Sequence, residues 1–166
     1  MLSEPINVEG MPYLHIQLET MSEGRFWQLA QFTSMKHPPL HGLSLVLYEN
    51  RKAVDAAIIA GCNTSQITRA KNVLNDLIAR LQKLRINSFH LEQLTEPDFD
   101  SLMEFLKKDM HTNKSVAGLK LVLFTKLSQT EAAKSVGCRK QAISNLSSEL
   151  TQRLGLLARL AATTEN

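Results

Sequence analysis

The sequence predicts a mainly α-helical protein in which one unit occurs twice, each copy opening on a short N-terminal β-strand. Three observations carry this. Leu and Ala abound while aromatic residues make up only 5% of the chain, a composition that favours helices. Apolar residues recur at three- and four-residue spacing over long stretches, as on a helix with one buried face. The third observation is internal repetition. Residues 16–32 read IQLETMSEGRFWQLAQF and residues 89–105 read FHLEQLTEPDFDSLMEF. Leu18, Glu19, Glu23, Phe26, Leu29 and Phe32 return as Leu91, Glu92, Glu96, Phe99, Leu102 and Phe105.

Farther on, GLSLVLYENRKAVDAAIIAGCNTSQI returns as GLKLVLFTKLSQTEAAKSVGCRKQAI, and eleven of the thirty-three positions in Gly42–Leu74 are identical in Gly118–Leu150. The offset between the copies lengthens by three within KKDMHTNKSVA, where a surface loop absorbs an insertion. The units are therefore placed at residues 10–84 and 85–162.

Each copy reads into the same elements. The alternation Leu14-His15-Ile16-Gln17-Leu18, matched by Phe89 and Leu91, suggests strands near residues 14–18 and 87–91 that would pair with each other. Ser22 and Thr95 stand as N-caps of a helix carrying acids in its first turn and apolar residues at helical spacing. Pro97 falls where a helix start tolerates proline. HPPLHG reads as a break in the first copy, holding His37 and His41 in a loop. GLSLVLYEN and GLKLVLFTK begin a strongly apolar helix expected to be buried. Two more helices follow in each copy.

Charge is arranged in blocks. Residues 1–20 hold three Glu and no Lys or Arg, residues 21–90 nine basic against four acidic side chains, and residues 91–113 six acids against Lys107 and Lys108. Residues 114–160 then hold eight bases against Glu131 and Glu149. Such a chain can turn some surfaces toward a polyanion and keep others away from it.

The last two helices of each copy carry the functional reading. Ser128 and Glu131 have the spacing of a capping box. Ala132 and Ala133 leave room for a close helix crossing, Gly137 suits a turn with positive φ, and Ile143 and Leu146 point back into the angle between the helices. Ala56, Ala57, Gly61, Ile67 and Ala70 repeat this skeleton. Small residue, glycine, apolar wedge: this is the helix-turn-helix pattern. The outward positions are Asn63, Thr64, Ser65, Thr68 and Arg69 in the first copy and Arg139, Lys140, Gln141, Ser144 and Asn145 in the second. Their amide, hydroxyl and cationic groups suit base edges and phosphates in a major groove, and neither set contains an acid.

With these residues in view, the run MSEGRFWQLAQFTS…VLYENRKAVDAAIIAGCNTSQITRAKNVLNDLIARL resembles the PapB-type regulators of adhesin operons and the plasmid repressors of the TrfB/KorA type. The shared features are an S-E-x-x-F-x-x-L helix ahead of a helix-turn-helix and a long helix behind it. The resemblance covers most of both copies. It implies a bacterial regulator that binds operator DNA, as a helical oligomer, and controls pilus, adhesin or plasmid-transfer genes. Two units on one chain depart from that pattern.

The remaining features read as structural. Cys62 and Cys138, each directly after the turn glycine, are expected to be small buried hydrophobes. The five histidines lack metal-ligand spacing, and Asp98, Asp100 and Glu104 fall on the solvated face of a helix rather than in a catalytic cluster. No phosphate loop, nucleophile elbow or HExxH is present. An enzyme, a metal and a cofactor are not expected. No window approaches the roughly eighteen apolar residues of a membrane span. The acidic start MLSEPINVEG lacks the features of a secretory signal, and two cysteines make no disulfide scaffold, so a cytoplasmic address is expected. Leu146, Leu150, Leu154, Leu157 and Leu160 form a stripe with two destinations open to it, pairing between the copies or a homodimer. The expected function is a sequence-specific regulator of transcription reading two half-sites of double-stranded DNA. The alternative is a protein-interaction adaptor, such as a partition or anti-activator protein, that keeps the helix-turn-helix fold.

Overall fold

The computed structural model describes Tyr13, residues 16–109 and residues 113–162. Eight α-helices account for most of them: α1 (Glu23–Ala30), α2 (His37–Tyr48), α3 (Ala53–Ala60), α4 (Thr64–Lys83), α5 (Glu96–Phe105), α6 (Lys114–Phe124), α7 (Gln129–Val136) and α8 (Lys140–Ala162), with one 3₁₀ turn at Leu91–Gln93. The chain divides into two compact units. Among the described residues the first comprises Tyr13–Gln82 together with the residues from Leu160 onward, and the second comprises 83–159. The division falls two residues before the boundary read from the repeat, and the end of α8 groups with the first unit.

Local chemistry starts and stops these helices where the sequence suggests. Ser22 Oγ accepts from Arg25 N at 3.3 Å and caps α1. Thr95 Oγ1 does the same for α5 through Asp98 N, with Pro97 in the first turn. Ser128 and Glu131 form a reciprocal capping box at α7. Such caps satisfy N–H groups that have no partner within the helix. The last turns of α3 and α7 both end on glycine in the left-handed region, Gly61 at φ 73° and Gly137 at φ 75°.

In the first unit α2 packs along α3 and also meets α1; in the second α6 packs along α7 and meets α5. The packing chemistry recurs too. Phe26 meets Tyr48 edge-to-face at 5.7 Å, and Phe99 meets Phe124 at the same distance and the same 75° inclination. Each aromatic pair ties the first helix of its unit to the second. Gly42 admits Ile67, since a Cβ there would stand 2.8 Å from the Ile67 Cδ1, and Gly118 admits Ile143 in the same way at 2.6 Å. The apolar wedge of α4 or α8 therefore presses on the bare backbone of α2 or α6.

Several sequence expectations are corrected. Among the described residues there is no strand at 14–18 or 87–91. Leu14 and His15 lie outside the described residues. Gln17 accepts from both Thr20 N and Met21 N in a turn. In the second unit Asn87 N donates to Asp98 Oδ2, His90 N to Ser88 Oγ and Gln93 N to the His90 carbonyl. These nearby acceptors take the backbone donors that a ladder would need. HPPLHG is not a break but the first turns of α2, where prolines cost nothing because those N–H groups have no intrahelical acceptor. Trp27 stacks on the His37 ring there, 10° from parallel at 5.6 Å. The apolar helices α2 and α6 bury Leu43, Leu45 and Leu119 but leave Leu47, Leu121 and Phe124 half-buried. Asp100 is engaged rather than merely solvated: it holds Lys120 of α6 at 2.8 Å. The insertion in KKDMHTNKSVA falls partly outside the described residues, with His111.

The leucine stripe is also resolved. Leu146, Leu150, Leu154, Leu157 and Leu160 are all buried within the single chain. An apolar face already covered has no area to offer a second copy, so the homodimer expected through it is set aside.

One buried tyrosine should make the stability of the fold depend on pH. Tyr13 is fully buried, and burial pushes its phenol well above the usual value, with the neighbouring Arg25 charge opposing the shift. The neutral phenol is favoured in the folded state. Its stabilisation is therefore fully present below the usual tyrosine pKa of about 10 and is lost as pH rises above it, at about 1.4 kcal/mol per pH unit. Tyr13→Phe should remove this component. From about pH 9 to 11.5 the wild-type unfolding free energy should fall relative to that of Tyr13→Phe; parallel curves would refute the assignment.

Candidate nucleic-acid interface

The start of α4 is built around Asn63. Its Oδ1 accepts from Gln66 N at 2.9 Å and from the Ser65 hydroxyl at 2.6 Å, while Gln66 Oε1 accepts from Asn63 N at 3.0 Å. This is a reciprocal cap assembled from two amides. Two residues expected to face DNA, Asn63 and Ser65, thus spend part of their bonding capacity on the helix start. Thr68 donates its hydroxyl to the Thr64 carbonyl. Asn63, Thr64, Ser65, Thr68 and Arg69 are all exposed, and Arg69 has no ion-pair partner among the described residues.

The start of α8 is more cationic. Arg139 directly precedes the helix, and Lys140 is its first residue. Both are exposed, as are Gln141 and Asn145, while Ser144 is half-buried. Gln141 Nε2 donates to Asn145 Oδ1 at 2.8 Å, a bond that does not use the amide oxygen of Gln141 or the amide nitrogen of Asn145. Behind both sets lies the same core. Ala56, Ala57, Ile67 and Ala70 are buried in one unit, and Ala132, Ala133, Ile143 and Leu146 in the other. Each unit brings its five outward residues onto one helix end.

No family model, curated protein or solved structure matches this chain.

Two features were not legible in the motif. Lys114 belongs to α6, yet a Cβ on Gly137 would lie 3.7 Å from its Nζ, so this ammonium stands beside the turn that leads to Arg139 and Lys140. Its counterpart in the repeat is Pro38, whose carbonyl lies 3.7 Å from Cys62 Sγ at the equivalent turn; no charge pattern links the two. The second feature is apolar. Val54, Ile58 and Ile59 on α3 are 62%, 75% and 51% exposed, where the second copy has Thr130, Lys134 and Ser135. Cys62 and Cys138 are free thiols and half-buried rather than buried, because each follows a surface turn. No helix among the described residues is long and apolar enough to cross a membrane.

Proposed function

We propose that the chain is a sequence-specific DNA-binding regulator of transcription with two helix-turn-helix readers, α3–α4 and α7–α8. The observation that carries this reading is the division of labour at both turns. Inward positions are small or wedge-shaped and buried, and outward positions at the helix start are polar, acid-free and, save Ser144, exposed. Arg139 is suited to the O6 and N7 of guanine, and the coupled Gln141–Asn145 amides to adenine. Lys114 and Lys140 are suited to phosphates. The outward residues differ between the copies, so the two half-sites differ in sequence. The resemblance to adhesin-operon and plasmid regulators makes such operons the proposed setting.

The test is binding to operator fragments selected from random duplex DNA. Arg139→Ala should cost about 1–2 kcal/mol on the selected site and relax the preference at one base pair. Lys140→Ala should weaken selected and scrambled DNA alike and flatten the salt dependence. Equal losses on all sequences for Arg139→Ala would refute its base-reading role. Arg69→Ala should shrink a different part of the footprint.

A second reading, a protein-interaction adaptor, is favoured by the exposed Val54, Ile58 and Ile59, which are a better surface for a protein than for DNA. Steep loss of affinity for random duplex with added salt supports the DNA reader; no measurable binding at low salt supports the adaptor.

A further inference from the structure

The first unit contains an open groove of about 510 Å³ between the loop after α1, the start of α2 and the outer face of α4. That volume lies within the range of small-molecule sites, about 300–1,000 Å³. Lys36, Arg69 and Arg80 place three cations on it, with Thr33, Ser34 and Gln66 among them. Phe32, Pro39 and Val73 supply apolar walls. Arg80 is paired with Asp76 at 3.2 Å. Lys36 and Arg69 have no carboxylate partner among the described residues.

In the second unit a cation in the loop after the first helix is neutralised within the chain. There the Lys108 Nζ, in the loop after α5, lies 3.1 Å from Glu149 of α8. In the repeat, Glu149 occupies the position of Val73. The first unit thus has an apolar wall at the position where the second has that carboxylate. Lys36 and Arg69, cations on one groove with no carboxylate in its lining, are stabilised by an anion from outside.

We propose that this groove binds a small organic anion, a phosphate monoester or a carboxylate with an apolar body. Its charged end would lie between Lys36 and Arg69, the latter a planar donor fork suited to such oxyanions. Its body would rest on Phe32, Pro39 and Val73. The site stands apart from the DNA reading. Because Arg69 is also among the proposed DNA-facing residues, occupancy would compete with DNA, and that consequence alone rests on the reading above.

Phenyl phosphate is a direct probe, titrated into the full chain at neutral pH and followed residue by residue by ¹H–¹⁵N NMR. Saturable shifts are expected at Lys36, Gln66 and the Arg69 side chain. Inorganic phosphate, which lacks the apolar body, should bind there about tenfold more weakly. Val73→Glu installs the internal anion of the second unit and should weaken phenyl phosphate by about tenfold or more. Arg69→Gln, at an exposed position that does not hold the fold, should do likewise and serves should the Val73 variant lose its native spectrum. Shifts that fail to saturate, that spread evenly over surface lysines, or that persist unchanged in the folded variants would overturn the proposal. No DNA is present in this experiment, so its failure leaves the DNA reading standing, and failure of operator binding leaves the anion site standing.

Discussion

Replacing Arg25 with Ala should cost about 3–4 kcal/mol of unfolding free energy. Arg25 is 1% exposed, although it follows the exposed Glu23 and Gly24 in the first turn of α1. Its Nη2 donates to the Leu160 carbonyl at 2.6 Å, in the last turns of α8, where carbonyls lack an intrahelical partner. A hydrogen bond from a charged donor contributes about 1.5–3 kcal/mol, and stranding its buried acceptor is what makes removal costly. The alkyl stem adds packing that Ala cannot replace. Arg25→Met keeps most of the stem and loses the bond, so it should recover part of the loss, about 1 kcal/mol. Chemical denaturation of the three proteins separates the two contributions. A loss below about 1 kcal/mol for Arg25→Ala would mean that the buried guanidinium holds little.

Gly118→Ala should destabilise the second unit by about 2 kcal/mol net. A Cβ there would stand 2.6 Å from Ile143 Cδ1, 3.1 Å from Ile143 Cγ1 and 3.2 Å from Val136 Cγ2. Ile143 is itself fully buried, so its terminal methyl has little freedom to swing away. Overpacking of this kind costs about 1–3 kcal/mol, here at the upper end, against roughly 1 kcal/mol that Ala gains over Gly inside a helix. Ile143→Val deletes the Cδ1 methyl and alone should cost about 1 kcal/mol. In the double variant the clash is relieved, so the two losses should fall short of additive by about 1 kcal/mol or more. Additive losses would show that the methyl contact does not limit the approach of α6 to α8. Since α8 carries Lys140 and Gln141 and directly follows Arg139, the same variant should also weaken DNA binding if the reader assignment holds.

The features legible from the sequence are those settled within a few residues. Ser22, Thr95 and the Ser128–Glu131 pair cap helices because the acceptor and the donor lie three positions apart. Gly61 and Gly137 stop helices because a left-handed residue is needed there and glycine takes it without strain. The helical class, the repeat and the alternation of small inner and polar outer residues around each turn belong to this level. So does the set of candidate DNA-facing residues, whose exposure follows from helical periodicity once the wedge at Ile67 or Ile143 is recognised. The reciprocal cap of Asn63 and Gln66, three positions apart, is of the same local kind.

Other features depend on partners far along the chain. Whether His37-Pro38-Pro39 breaks a helix or begins one turns on where α2 packs, because proline is tolerated in a first turn and nowhere later. The segment at 87–91 has alternating residues, but Asp98 and Ser101, a helix away, take the N–H groups of Asn87 and Arg85. Leu154 looks the same in sequence whether it awaits a second copy or is covered within its own chain; only burial tells them apart. Lys36 and Arg69 stand 33 positions apart in the sequence and line one groove only once α4 is laid beside the loop after α1. Caps and turns draw on free energy stored within one turn of chain, whereas burial and charge pairing draw on groups brought together by folding from more than a hundred residues away, as for Arg25 and Leu160.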